Sequence, residues 1–253
     1  MPEQRFNCTA CGKCCYGLLP LTLEDAFANA CRFPLAMAWM PVRQASRSYE
    51  MYAKLGAIIQ LPGQKVATLI APVAYIPPSL SCPSLSPENL CSIHESKPLR
   101  CRTMPFYPYR EERDQSDILV PRKGWLCDTS PLAPPIYRDR KIIDITSFDL
   151  ERKALLKDAP ILSAYAARLL MQNHVVMKML IDTATRQAAG QFVVSFYSFL
   201  RLNKKYDLIA FAKKQTPVLK EFSEKTAAMP ALAVFHKYYH AAAEELGWFA
   251  REG

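Results

Sequence analysis

Apolar residues recur at helical spacing along the second part of the chain. They follow this period in the stretches APILSAYAARLLMQNHVVMKMLIDTATRQA, FVVSFYSFLRL and ALAVFHKYYHAAAEELGWF. Positions three and four residues apart share one face of an α-helix, so such a pattern predicts amphipathic helices. Gly190 is expected to end the first stretch, since glycine is a common helix terminator. We therefore predict a helical subdomain over residues 148–253.

The first part of the chain has a different pattern. Residues 1–147 hold all nine cysteines and most of the 20 prolines. Runs of β-branched and other apolar residues predict strands at 65–76, 116–121 and 141–146, separated by irregular loops. The two parts together predict an α+β fold: an irregular cysteine-rich metal-binding region with short strands at 1–147, followed by the helical subdomain at 148–253.

Eight of the nine cysteines fall into two sets. The stretch FNCTACGKCCYG holds the first set, and proline-rich or turn-prone positions hold the second: Cys8, Cys11, Cys14 and Cys15, then Cys82, Cys91, Cys101 and Cys127. A C-x2-C-x2-C run brings three sulfurs to one side of a tight turn, as in ferredoxin loops that bind three corners of a [4Fe-4S] cluster. Zinc sites more often use two separated C-x2-C pairs. The spacing favours an iron–sulfur cluster and leaves zinc as the alternative.

The adjacent pair Cys14 and Cys15 bears on the number of metal sites. Successive side chains diverge in extended backbone, so the two thiols are better placed to serve two metal centres than one. Eight thiols are enough for two sites of four thiolates each, or for one such site with additional thiols that are not its ligands.

Composition, charge and the motifs that are missing bear on where the protein is located and which ligands it binds. The 253 residues are 50% hydrophobic, yet no apolar run is long enough to span a bilayer, and the start MPEQRFNCTA lacks a secretory signal. We therefore expect a cytoplasmic protein with no membrane association. Structural disulfides rarely persist in the cytoplasm.

The net charge of +9 is spread along the chain, so it does not indicate a nucleic-acid site. G-x-G-x-x-G, Walker A and H-E-x-x-H motifs are missing, which disfavours familiar nucleotide and zinc-protease sites.

Two arginines stand beside a cysteine of the second set. Arg100 and Arg102 flank Cys101, and guanidinium groups in such a position can donate hydrogen bonds to cluster sulfurs or to an anionic substrate. We predict that they bind the cofactor, with ordinary salt bridges as the alternative.

Other candidate residues have plainer interpretations. Cys31 stands alone in an amphipathic segment and is predicted to be a buried, small apolar residue. His94 is predicted to lie on the surface or to hydrogen-bond near the metal. His236, His240 and Glu244 fall at i, i+4 and i+8 of one predicted helix face, a spacing that could hold a second metal ion.

The cysteine pattern as a whole resembles a known family. F-x-C-x-x-C-G-K-C-C followed by C-x8-C-S-I-H-E-S-K-P-L-R-C-R-T-M-P-F is similar to the bacterial family named for its CxxCxxCC cluster and described as zinc- or iron-chelating. The resemblance covers roughly residues 6–130. The matching positions are the eight cysteines together with Lys97, Pro98, Arg100 and Arg102.

The family includes flagellin lysine N-methylases and members termed iron–sulfur oxidoreductases. The resemblance implies one or two [4Fe-4S] clusters, S-adenosylmethionine as a further cofactor, and a protein substrate or redox partner. It does not decide between an enzyme and an electron carrier. An enzyme of this kind needs an iron open to a small molecule. Cys127, the cysteine farthest from the others in sequence, is then the thiol expected not to bind.

Overall fold

A computed structural model describes residues 3–185 and 190–251. The strands are β1 (Gln4–Arg5), β2 (Leu19–Pro20), β3 (Leu35–Arg43), β4 (Ala57–Leu61), β5 (Gln64–Ala74), β6 (Pro135–Arg138), β7 (Lys141–Ile142) and β8 (Phe192–Ser195). The helices are α1 (Leu23–Ala28), α2 (Tyr49–Leu55), α3 (Leu99–Thr103), α4 (Thr146–Gln172), α5 (His174–Thr185), α6 (Phe196–Leu202), α7 (Leu208–Ala227) and α8 (Ala233–Arg251).

The larger sheet is antiparallel and is built around β3 and β5. Its strands lie in the order β2, β5, β3, β8, and β4 also pairs with β5. Leu35 lies opposite Ala74 at one end of the β3–β5 pairing. The turn between β4 and β5 contains Gly63 at φ 75°, a left-handed conformation that glycine adopts without strain. Both central strands are apolar along most of their length because helices cover the sheet.

Two of the three predicted strands are present. The prediction at 65–76 is confirmed by β5. The prediction at 141–146 is confirmed only for Lys141 and Ile142, which form β7 in a small antiparallel sheet of the order β1, β6, β7. Helix α4 already begins at Thr146.

The predicted strand at 116–121 is wrong, because Ser116–Ile118 is a 3₁₀-helix. The buried side chain of Gln115 accounts for the difference. Its amide oxygen accepts a hydrogen bond from the Tyr107 N–H at 2.8 Å, and its amide nitrogen donates to the Tyr107 and Glu111 carbonyls at 3.1 and 3.0 Å. The loop therefore wraps around Gln115 and is not extended along a partner strand.

The first helical stretch of the sequence forms α4 and α5, with Asn173 between them. The Asn173 side chain accepts a hydrogen bond from the Val176 N–H at 3.1 Å and so caps the start of α5. The end of the predicted stretch, 186–188, lies outside the described residues. The third stretch is confirmed by α8.

The second stretch was predicted as one helix, and its first four residues form β8 instead. Here tertiary contacts outweigh the helical spacing. Phe192 pairs with Trp39 of β3, and their rings stack with centroids 5.8 Å apart. Ser195 then accepts a hydrogen bond from the Tyr197 N–H at 3.3 Å and starts α6.

The main core draws residues from both parts of the chain. Trp39 and Ile70 of the sheet lie in one buried cluster with Tyr165, Phe199 and Tyr239 of the helices. The predicted α+β class is confirmed by this mixture of helices and antiparallel sheets. The boundary at residue 147 stays a prediction. Among the helices that the structure describes, none is long and apolar enough to cross a membrane.

Candidate metal centre

The N-terminal loop is held against the segment that carries Cys127. Asn7 and Asp128 exchange two backbone hydrogen bonds, of 2.8 and 3.0 Å, and form an isolated antiparallel bridge. The Thr9 hydroxyl donates to the Leu126 carbonyl at 2.9 Å. These contacts bring Cys127 close to the first cysteines of the loop, despite the long separation in sequence.

The other end of the same loop is held against the second set of cysteines. The Cys82 N–H donates to the Cys15 carbonyl at 2.7 Å, next to a bridge between Tyr16 and Ser81. A second bridge, between Leu85 and Cys91, closes a short hairpin behind Cys82. Local backbone pairing therefore places Cys15, Cys82 and Cys91 together.

Cys101 is positioned by α3, a short helix with contacts to two other helices. Its first N–H, on Leu99, donates to the carboxylate of Asp25 in α1 at 3.1 Å. The Thr103 hydroxyl donates to the carbonyls of Leu99 and Ser147 at 2.9 and 3.1 Å. A helix of five residues has little stability of its own, so these contacts fix where the Cys101 thiol lies.

The backbone of the N-terminal loop is shaped by left-handed residues. Ala10 and Gly12 have φ values of 52° and 70°, which allow the chain to reverse within the C-x2-C-x2-C run. A Cβ added to Gly12 would lie 2.8 Å from Oδ1 of Asn89, so the approach of the two cysteine-bearing segments also requires glycine there.

The thiols form two neighbouring groups as judged by their electrostatic interactions. Burial raises the pKa of Cys127, and the nearby charges of Cys11, Cys8 and Cys14 raise it further. In the other group, burial raises the pKa of Cys101 to about 12, and Cys82, Cys14 and Cys91 are among its interacting thiols. Cys15 interacts with Cys82 and Cys101, whereas Cys14 interacts with thiols of both sets. We assign Cys14 to the first group (Cys8, Cys11, Cys14, Cys127) and Cys15 to the second group (Cys15, Cys82, Cys91, Cys101).

Cys14 and Cys15 lie where the two groups meet. Their sulfurs are 4.0 Å apart. A hydrogen bond from the Cys15 thiol, together with the positive charge of Lys97, lowers the pKa of Cys14 to about 6. The same contact, together with burial, raises the pKa of Cys15. Cys14 is therefore the more readily ionised thiol of the pair, and the thiolate is the form that binds metals.

Backbone N–H groups point at two further sulfurs. Hydrogen bonds from the N–H groups of Lys13 and Leu126 lower the pKa of Cys11. The Ser84 N–H lies 3.4 Å from the sulfur of Cys82. Donors of this kind stabilise metal-bound thiolates and orient them. They were not predicted, because backbone donors leave no signal in the sequence.

The two predicted cofactor-binding arginines bond to protein groups. Arg100 is buried, lies 3.4 Å from the Glu151 carboxylate and donates to the Phe106 carbonyl. Arg102 donates to the carbonyls of Lys97 and Glu95 at 2.8 and 3.3 Å. The positive charge of Arg100 nevertheless opposes the rise in the pKa of Cys101. A role of either arginine toward a cofactor stays a prediction.

The remaining candidates lie outside the two groups. Cys31 is exposed, so its predicted burial is wrong; it follows α1 in a turn on the surface. His94 is exposed within a 3₁₀-helix. On α8, His236 donates through Nδ1 to the Ser223 carbonyl at 2.9 Å, and His240 lies 3.6 Å from the Glu244 carboxylate.

The thiols of the candidate ligands lie in neighbouring segments, but their present positions do not form a complete metal-binding site. Within residues 3–185 and 190–251, no three side chains of histidine, cysteine, aspartate or glutamate are grouped so that they could hold a metal ion as they stand. The donor type fits zinc and iron–sulfur clusters alike, since both bind thiolates.

Comparison with known proteins agrees with this donor set. A family model named CxxCxxCC, described as "putative zinc- or iron-chelating domain", matches residues 7–123, which include all the thiols of the two groups except Cys127. No curated protein and no solved structure matches the chain. Seven of the eight thiols that the fold brings together therefore lie in the part of the chain that is similar to the CxxCxxCC family of zinc- or iron-chelating domains.

Proposed function

We propose that the two thiol groups bind iron–sulfur clusters, one [4Fe-4S] cluster to each group, and that the chain carries out redox or group-transfer chemistry there. The observation that carries this proposal is that eight thiols come together around Cys14 and Cys15, with Cys127 interacting with Cys8 and Cys11, and Cys101 with Cys82 and Cys91. Four thiolates are the usual ligand set of a [4Fe-4S] cluster.

The surroundings of the sulfurs support an anionic cofactor. Cys11 accepts hydrogen bonds from two backbone N–H groups and Cys82 accepts one. Lys97 is close enough to Cys14 to lower its pKa. Hydrogen bonds and positive charges around cluster sulfurs stabilise the bound form and set its reduction potential.

The reaction itself depends on whether an iron is open to a small molecule. A fully ligated cluster transfers electrons to a redox partner, whereas an open iron can bind a cofactor such as S-adenosylmethionine for transfer of a methyl group to a protein lysine. Cys127 lies beside Cys8 and Cys11 in space, so its distance in sequence is no reason to leave it without metal.

The test is metal analysis of the full chain purified without oxygen. We expect brown protein with iron and acid-labile sulfide in roughly equal amounts, about four of each per cluster, and little zinc. Cys31→Ser is the matched control, because its exposed thiol lies outside both groups, and it should retain all of the metal. Addition of S-adenosylmethionine to the reduced protein should change the electron paramagnetic resonance spectrum if an iron is open. An unchanged spectrum favours electron transfer.

A structural zinc module for binding a partner protein is the second candidate. The sulfurs of Cys14 and Cys15 are 4.0 Å apart, close to the separation of about 3.8 Å between two corners of a tetrahedral zinc–thiolate site; this candidate therefore places both thiols on one zinc ion and not in two separate groups. Colourless protein with about one zinc per four thiols and no sulfide would replace the iron–sulfur proposal with this one.

A further inference from the structure

A cleft of about 910 Å³ opens between the start of α2 and the loop that follows Tyr109. Its volume is within the range of pockets that bind small molecules. None of the described residues that line it is a cysteine, so it is separate from the metal centre. Its lining carries four arginines and four carboxylates: Arg47, Arg110, Arg113 and Arg140 with Glu50, Glu111, Asp114 and Asp117.

Three of these arginines pair with exposed carboxylates of the protein. Nη1 of Arg110 donates to both oxygens of Asp117 at 2.7 Å, Arg140 donates to Asp114 at 3.2 Å, and Arg113 is 3.8 Å from Asp114. The side chains of Asp117 and Asp114 are 68% and 53% exposed. Exposed ion pairs contribute little free energy, so an incoming anion can replace these carboxylates at small cost.

Two buried donors lie at the cleft without acceptors. Tyr109 forms part of the wall and is only 1% exposed, and within the described part of the chain its hydroxyl has no hydrogen-bond partner. Arg152 lies against the cleft residues Met51 and Arg110, to which it donates, and its Nε is buried without a partner. Buried donors are nearly always satisfied in folded proteins, so these two are available to an acceptor, either a water molecule or a ligand atom that reaches the inner wall of the cleft.

The backbone at Arg140 adds a second indication. Asp139 and Arg140 occupy the turn between β6 and β7 with φ values of 49° and 62°. Asparagine and glycine suit such a turn, whereas arginine adopts this left-handed conformation at a cost. Strain of this kind is typically kept where the direction of a side chain matters, and here it places the guanidinium at the cleft.

We propose that this cleft binds a small polyanion, a molecule that carries two or more carboxylate or phosphate groups. The planar guanidinium group matches both anions through paired hydrogen bonds. More than one negative charge is required, because the ligand must displace Asp114 and Asp117 from their arginines and compete with the further carboxylates Glu50 and Glu111 of the lining.

The experiment is calorimetric titration of the full-length, metal-loaded protein with inorganic pyrophosphate and, separately, with citrate. We expect one saturable site per chain, and the tighter of the two probes identifies phosphate or carboxylate as the preferred group. Arg140→Gly should weaken binding roughly tenfold or more, because it removes charged hydrogen bonds to the ligand. Glycine suits the left-handed backbone at this position, so the variant should fold and melt at an unchanged or higher temperature.

Arg32→Ala is the control, since it removes one exposed arginine away from the cleft and should leave the affinity unchanged. Metal content is measured for every variant, so that affinities for the two probes are compared only between proteins with equal metal content. Absence of saturable binding of both probes, or equal affinity of wild type and Arg140→Gly, would overturn the proposal.

Discussion

At the scale of single residues, Cys14 and Cys15 show how neighbours in sequence acquire different properties. Cys14 has a pKa lowered to about 6, while the pKa of Cys15 is raised. The carbonyl of Cys15 accepts a hydrogen bond from the Cys82 N–H, whereas the Cys14 thiol interacts with Cys127 of the first group and with Cys82 and Cys101 of the second. The adjacent thiols thus connect the two groups without being equivalent.

We predict that Cys14→Ser and Cys15→Ser remove different portions of the metal. If each thiol belongs to its own group, each variant should lose roughly half of the iron, one cluster of two, and the two residual spectra should differ. Iron quantitation with absorption and electron paramagnetic resonance spectra of both variants provides the measurement. Identical spectra and identical metal loss would argue for a single site that uses both thiols.

At the scale of elements, α3 depends on a buried ion pair behind the metal centre. The side chains of Arg100 and Glu151 are 4% and 2% exposed, and they join α3 to α4. One oxygen of Glu151 is buried without a partner in the described part of the chain. Glu151 therefore depends on Arg100 to balance its charge, and loss of Arg100 leaves the buried Glu151 carboxylate without a positive partner.

We predict that Arg100→Met destabilises the protein by about 3–5 kcal/mol, the usual effect of breaking a buried ion pair from one side. Arg102→Met is the matched control on the same helix, and its exposed side chain should contribute less than about 1 kcal/mol. Urea unfolding of the metal-loaded proteins measures both. The double variant Arg100→Met/Glu151→Leu should recover much of the loss, because it removes both charges. Equal effects of the two single variants would contradict this role for the ion pair.

At the scale of the whole molecule, the metal centre and the main core are held together by different forces. The core packs a sheet against helices through apolar and aromatic side chains. The cysteine-bearing loops are held by single bridges and a five-residue helix. The two regions should therefore respond differently to loss of metal.

We predict that metal removal by chelation exposes amide groups at 6–17 and 80–103 and leaves β3 and β5 protected. Metal binding supplies free energy that the loops lack, whereas the buried sheet has its own apolar core. Hydrogen–deuterium exchange before and after chelation, read peptide by peptide, tests this. Native protection of the loops in the metal-free protein would show that they fold without metal.

Much of the fold could be predicted from periodicity, and the failures share a cause. Helical spacing predicted α8 and the helical character of the stretch that forms α4 and α5, because an amphipathic helix shows its buried face in its own sequence; the break at Asn173 was not predicted. The same spacing predicted a helix at 192–195, where pairing with β3 gave a strand. The strand prediction at 116–121 failed because a buried glutamine side chain organises the loop from inside.

The sequence by itself determined which atoms are candidates to bind metal, because the spacing of the cysteines and their match to a zinc- or iron-chelating family model are properties of the chain. Only the tertiary structure decided which thiols are neighbours. Cys127 joins Cys8 and Cys11 through backbone bridges formed between segments more than 100 residues apart. Arg100 pairs with Glu151, which lies 3.4 Å away in space but in a different helix. A buried charge requires an oppositely charged partner, and only the folded chain brings this one close. Contacts between distant segments depend on how the helices and sheet pack, and no local pattern encodes them.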